Sequence, residues 1–152
     1  MADRFIDDYL LYLLARASAL VSGRFHERLR PHGLDVAEWR ILATLSDGDG
    51  LLVGELAASV LFQQPTLTKM VDRMEAEGLV ERRRSDSDRR KVRVFITAAG
   101  RRKVRRVLSA AKSHEAEVLG GYTAEESEAL KTVLRTLIER NAGAKDTGTT
   151  VS

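Results

Sequence analysis

The side chains of this 152-residue chain that could do chemistry are mostly cations, and they are gathered in one place. Between Arg82 and Arg106 there are ten arginines, two lysines and two aspartates, a balance of +10, against +3 for the whole chain. The other 127 residues therefore carry −7. Charge separated this sharply implies a polyanionic partner, with a solvated cationic face as the plainer alternative. Just upstream, Gln64, Pro65, Thr66, Thr68, Lys69 and Arg73 have the composition of a helix that enters the major groove of double-stranded DNA. Such a helix needs short polar side chains near its N-terminus to reach base edges, and cations behind them to hold phosphates. Gln64, Thr66 and Thr68 are the candidates for base contacts, Lys69 and Arg73 for phosphate. The same stretch would also serve an ordinary amphipathic helix with a polar outer surface.

The basic run begins in a predicted hairpin. Arg82, Arg83 and Arg84 lie on one arm, Arg89 and Arg90 at the tip, and Lys91 and Arg93 on the other arm. A cationic tip suits a narrow minor groove, where negative potential concentrates. Asp86 and Asp88 sit oddly beside phosphate. Each either pairs with a nearby arginine and aims it, or does turn chemistry.

Other chemistries find little in the sequence. There is no cysteine, which removes disulfides, thiolate catalysis, cysteine-ligated metal and thiol redox sensing together. His26, His32 and His114 lack a metal or catalytic spacing, and neither a Gly-rich phosphate loop nor a Ser-His-Asp order is present, so no catalytic residue, metal or cofactor is expected. Tyr9, Tyr12, Arg16, His26, Trp39 and Arg40 form a mix able to stack on an aromatic ring and pair with a carboxylate. Core or dimer packing is the favoured account of the aromatics, and surface or intersubunit ion pairs that of Arg16 and Arg40. The longest apolar stretch, Leu10 to Ala15, falls far short of the roughly 18 to 20 residues of a membrane span. Asp3, Asp7 and Asp8 surround Arg4 where a secretory signal would be basic, so a cytoplasmic, nucleoid-associated protein without membrane contact is expected.

The elements that must position these residues are mainly helical. Apolar residues from Phe5 to Phe25 predict one long helix ending near Pro31, about 39 Å in length, with more apolar surface than a small core can cover. Asp35 and Glu38 predict a capping box opening a second helix. After the turn at Asp47 to Gly50, Leu51 to Val53 predicts a short strand and Gly54 to Leu61 a compact helix. Phe62 to Gln64 then reads as a tight turn, with Pro65 in the first position of the next helix. Leu67, Met70, Val71 and Met74 turn that helix toward the core, and Gly78 ends it. Leu79 to Arg84 and Lys91 to Thr97 predict two strands, the second alternating cleanly. Thr97 caps a helix to about Leu119, Gly120-Gly121 breaks it, and Thr123 to Glu126 forms a second capping box before a last helix.

Three segments together carry a resemblance to a known family. They are Leu34 to Leu42 (LDVAEWRIL) with Gly54 to Ala57 (GELA), then Thr66 to Glu75 (TLTKMVDRME) with Gly78 to Val80, then Asp88-Arg89-Arg90 with Thr97 and Gly100. In these the chain resembles the MarR family of bacterial transcriptional regulators, over about residues 5 to 140. The resemblance implies a mainly α fold with a small β wing, a winged helix-turn-helix at about 35–97. It also implies a helical dimerisation region formed by the N- and C-terminal helices, about 5–30 and 98–140, within one domain of residues 1–140. Residues 141–152 are expected to be a disordered tail. It further implies a homodimer on a pseudo-palindromic operator, a repressor released by a small aromatic, amphipathic or carboxylate effector. Arg90 would be the minor-groove arginine and Asp88 its anchor. With Arg84 and Arg89 these complete the expected DNA-contacting set. A sequence-tolerant architectural DNA-binding protein without a ligand is the rival reading.

Overall fold

The computed structural model describes residues 4–142. The expected tail falls largely outside them, and the two of its residues that are described, Asn141 and Ala142, belong to the last helix. The described residues divide into two compact units, one up to Ser113 and one from His114 onward. None of their helices is long and apolar enough to cross a membrane.

The long first helix of the sequence reading is interrupted. A 3-10 turn at Phe5–Asp8 is followed by an extended residue, Tyr9 (φ −80°, ψ 120°), and only then by α1, Leu10–Leu29. Its 20 residues span about 30 Å rather than 39. The Phe5 and Tyr9 rings stack at 5.1 Å across the break, and the Tyr9 carbonyl accepts the first α1 hydrogen bond from Leu13. At the far end Pro31 has no N–H to continue the ladder, and Arg30–His32 tightens into a 3-10 turn. Of α1 only Phe25 and Leu29 are buried, so most of its apolar face is exposed.

The first unit continues through α2 (Val36–Asp47), β1 (Leu51–Leu52), α3 (Val53–Val60), α4 (Gln64–Ala76), β2 (Val80–Arg84), β3 (Val92–Ile96) and the first part of α5 (Ala98–Val118). The capping box of α2 is present: Glu38 N–H donates to Asp35 Oδ1 at 2.8 Å, and Asp35 N–H donates to Glu38 Oε2 at 3.1 Å. The helix that follows β1 starts one residue earlier than expected, with the Leu52 N–H held by Glu55 Oε2 at 2.9 Å. At its end Leu61 takes the left-handed conformation (φ 67°), and Phe62 N–H closes back onto the Ala57 carbonyl. In α4 Gln64 is the first residue, so Pro65 occupies the second position; both lack an intrahelical N–H partner, and the placement costs nothing. Gly78 ends α4 at φ 76°, with Leu79 N–H bonded to Met74 O at 2.9 Å, a conformation glycine adopts without penalty.

The sheet is antiparallel, in the order β1-β3-β2. Alternation along β3 sends Val94 and Ile96 into the core and leaves Val92, near the tip, half-buried. Thr97 caps α5 as expected, its hydroxyl accepting the Gly100 N–H at 3.1 Å. Gly100 must stay small, because a Cβ there would overlap the Leu79 carbonyl. Leu42 and Leu45 of α2, Leu56 of α3, and Leu67, Val71 and Met74 of α4 are fully shielded, joined by Val94, Ile96, Val104 and Val107. This core holds α4 by one face and leaves the other outside.

The second unit holds the end of α5, the Gly120 turn and α6 (Ala124–Ala142). The Thr123 and Glu126 capping box forms in full. Lys131 pairs with Glu115 at 2.8 Å, and Leu130, Val133 and Ile138 are exposed.

Candidate nucleic-acid interface

The exposed edge of α4 carries Gln64, Pro65, Thr66 and Lys69. Its N-cap residue, Gln63, makes no side-chain capping bond, so the first N–H groups of the helix remain open to an anion. Thr68 is half-buried, and its hydroxyl donates to the Gln64 carbonyl at 2.9 Å. That bond spends its proton and leaves a methyl group and lone pairs for any outside contact.

Arg73 is placed differently from the rest. Its guanidinium reaches Glu38 Oε1 at 2.6 Å and Asp35 Oδ2 at 3.8 Å, on the capping box of α2. The residue expected on phosphate is therefore engaged within the fold, where it compensates a carboxylate that is nearly buried.

The wing cations divide into two sets. Arg82 pairs with Asp72 at 2.5 Å and Glu75 at 3.1 Å, both on α4. Arg83 pairs with Glu81 and lies over the Phe95 ring at 4.4 Å, and Arg93 donates to the Gly50 carbonyl at 2.9 Å. By contrast, the charged groups of Arg84, Arg89, Arg90 and Lys91 are exposed and have no partner among the described residues. The three internally used arginines lie within the strands, and the four free cations run from the end of β2 around the tip to Lys91.

At the tip, Ser85 N–H bonds the Lys91 carbonyl at 2.9 Å and Lys91 N–H bonds the Asp88 carbonyl at 3.0 Å. The Asp88 carboxylate accepts the backbone N–H of Arg90 at 3.0 Å. The expected charge anchor is thus corrected to turn chemistry: a short carboxylate two residues upstream reaches the backbone N–H, and it fixes the loop while the Arg90 guanidinium stays free.

Two acidic residues that the sequence reading passed over shape the site. The Arg82 backbone N–H, then its guanidinium, holds the Glu75 carboxyl below its ordinary range. Burial works against the Arg82 charge, but its bonds to Glu75 and Asp72 outweigh that and raise its pKa. The spacing of Asp72 and Glu75, three apart on one helix face, was visible in the sequence; that β2 would run past that face was not. Between α3, α4 and the wing opens a groove of about 780 Å³. Leu52, Val53 and Val71 contribute apolar surface to it, while Gln64, Arg84 and Arg90 give it polar and cationic edges.

The residues considered for a small ligand do not line this groove. The Tyr12 hydroxyl accepts from Arg16 at 2.8 Å on α1, Tyr9 stacks on Phe5, and Trp39 meets Phe25 edge-on at 6.1 Å against the core. Arg40 is half-buried.

The sequence profile of the MarR family matches residues 32–91, from the 3-10 turn after α1 through the wing tip. Among solved structures, a MarR family transcriptional regulator from Silicibacter pomeroyi is 41% identical with a TM-score of 0.79, over 90% of this chain and 98% of that one. The transcriptional repressor CouR, bound to a 23-mer DNA duplex, is 29% identical with a TM-score of 0.79, over 87% of this chain and 94% of that one. Among curated relatives, the homoprotocatechuate degradative operon repressor of Escherichia coli is 27% identical over 131 residues, 86% of this chain and 88% of the relative.

Proposed function

The chain belongs to the MarR family of transcriptional regulators, and on that footing we propose that it is a repressor acting as a homodimer on a pseudo-palindromic operator. In each half-site α4 enters the major groove and the wing tip the adjacent minor groove. One observation carries this reading: Gln64 at the exposed start of α4 and three of the four unpartnered cations, Arg84, Arg90 and Lys91, line the same groove, while the charges of Arg82, Arg83 and Arg93 are occupied. Gln64 and Thr66 are assigned to base edges, with Thr68 supporting them through its methyl group. Lys69, Arg84 and Arg89 are assigned to phosphate, Arg90 to the minor groove, and Asp88 to the turn that presents it. Pro65 sets the start of the helix.

The apolar surface left open supports the homodimer. Phe5, Leu10 and Leu20 are 78%, 54% and 60% exposed, and on α6 Val133 and Ile138 are 64% and 66% exposed. Covering such surface yields about 25 cal/mol per Å², and a second copy is the partner proposed for the helices at about 5–30 and 98–140. The E. coli relative, named for homoprotocatechuate degradation, supports an aromatic carboxylate as effector. Tyr9, Tyr12, Arg16, Trp39 and Arg40 are the residues proposed to meet it.

Selection of duplexes from a randomised pool by the full-length protein tests the reading. An inverted repeat with half-sites about ten base pairs apart is expected, and Gln64→Ala should cost about 1–3 kcal/mol at one position of each half-site. Even enrichment of all sequences, with a steep salt dependence, would establish the architectural rival instead.

A further inference from the structure

α4 carries two carboxylates, Asp72 and Glu75, beside the surface assigned to DNA. Plain electrostatics makes them a liability there. Their contacts suggest the opposite role. Arg82 sits in the middle strand position of β2, opposite Val94 of β3, and its Nη2 reaches Asp72 Oδ1 at 2.5 Å and Glu75 Oε1 at 3.1 Å. Its backbone N–H also donates to Glu75 Oε2 at 2.7 Å. Three bonds therefore fix both the strand backbone and its side chain to the helix. Among the described residues these are the ion pairs that join α4 to the hairpin. The Arg82 side chain is 30% exposed and could not turn to a phosphate without giving them up.

We propose that Arg82, clamped by Asp72 and Glu75, is a positioning residue that sets the angle between the wing and α4, so that two acidic groups on that helix favour specific DNA binding. The proposal rests on the DNA reading above. Its mechanical basis is leverage: Arg84 lies two residues beyond the clamp, and the tip with Arg90 further still. At about 3.3 Å per strand residue the lever is roughly 15 Å, so a rotation of about 10° moves the tip by about 2–3 Å. That is enough to separate a guanidinium from its groove while Gln64 stays in place.

The two views of the acids predict opposite signs. Replacing both by amides removes two negative charges, so a pure charge effect tightens binding to every duplex. Loss of the clamp weakens only binding that needs α4 and the wing in register.

The test compares full-length protein with Asp72→Asn/Glu75→Gln and with Arg82→Lys. Lysine keeps the charge but cannot span both carboxylates. Fluorescence anisotropy at fixed salt is read on a duplex selected by the wild type and on a scrambled duplex of equal length. The proposal expects the selected duplex to lose roughly tenfold or more in affinity with both variants, with the scrambled duplex unchanged or bound more tightly. It also expects the salt slope of Arg82→Lys to match wild type, since no phosphate contact is removed. Affinity rising on both duplexes together, or discrimination unchanged, overturns it. If the double variant does not fold, Asp72→Asn keeps Glu75 on Arg82 and carries the same signs. A wild type with no preference among duplexes overturns the DNA reading, and this proposal with it.

Discussion

Arg73 Nη2 lies 2.6 Å from Glu38 Oε1, which ties the last turn of α4 to the first turn of α2. The Glu38 side chain is only 7% exposed, and its other oxygen accepts the Asp35 N–H. One carboxylate thereby caps α2 and receives α4. Arg82 holds the same helix from the hairpin side, so α4 is pinned to two different elements.

Removing the arginine should therefore register as lost stability. Arg73→Met would leave a nearly buried carboxylate with one donor in place of two. Because Arg73 is itself half-exposed and water can replace part of it, the expected cost is about 1–2 kcal/mol rather than the larger figure for a fully enclosed pair. Urea unfolding measures it. Unchanged stability with weakened DNA binding would return Arg73 to a phosphate role.

The division of the wing cations predicts a contrast between two arginines of equal charge. Arg90→Ala should lower DNA affinity and, because it takes a cation out of the negative potential of the minor groove, reduce the slope of log affinity against log salt. Arg93→Ala should leave that slope alone, because its guanidinium is spent on the Gly50 carbonyl. Titrations at several salt concentrations separate them, and equal slopes for both variants would contradict the assignment. Neither change touches the exposed faces of α1 or α6, so the oligomeric state by light scattering should match wild type.

Much of this architecture was legible in the sequence, for identifiable reasons. Asp35-Glu38, Thr97 and Thr123-Glu126 announced helix starts because capping is local chemistry. The alternation in β3 announced a strand because its two faces meet different surroundings. The 3-10 break before α1 was not legible, since the apolar spacing runs through Tyr9 without a proline or glycine. Which arginines were free was not legible either. Charge composition treats Arg82, Arg84 and Arg93 alike, and only the β1-β3-β2 order brings Gly50 beneath one and α4 beneath another. Asp88 stood between two readings in the sequence, and the turn geometry chose between them.

Leu61 predicts an easy gain in stability. It holds φ at 67° and is 77% exposed, so it bears the left-handed penalty with little burial to offset it. Leu61→Asn should raise stability by about 0.5–1 kcal/mol, because asparagine tolerates this region. Leu61→Ala retains the Cβ and should change little. Thermal melts of the two variants distinguish the causes, and an equal response would place the effect in the leucine side chain rather than in the backbone.

Glu75 makes stability depend on acid in a defined direction. Its carboxyl is held below the ordinary value of 4.5 by the Arg82 backbone N–H and then the guanidinium, so near that pH the folded chain binds fewer protons than the unfolded one. A depressed carboxyl contributes its full stabilisation above the unfolded pKa and loses it as pH falls through the folded one. Arg82 stays charged throughout this range, so the carboxyl alone titrates within the pair. The stability gap between wild type and Glu75→Gln should therefore be constant from neutrality down to about pH 5, and should narrow on further acidification. Taking the difference between the two proteins cancels the other carboxylates, which acid protonates in both. Urea midpoints across the series measure the gap. Parallel curves down to acid unfolding would mean that Glu75 gains nothing from Arg82 in solution, and a gap that widens with acid would reverse the sign of the linkage.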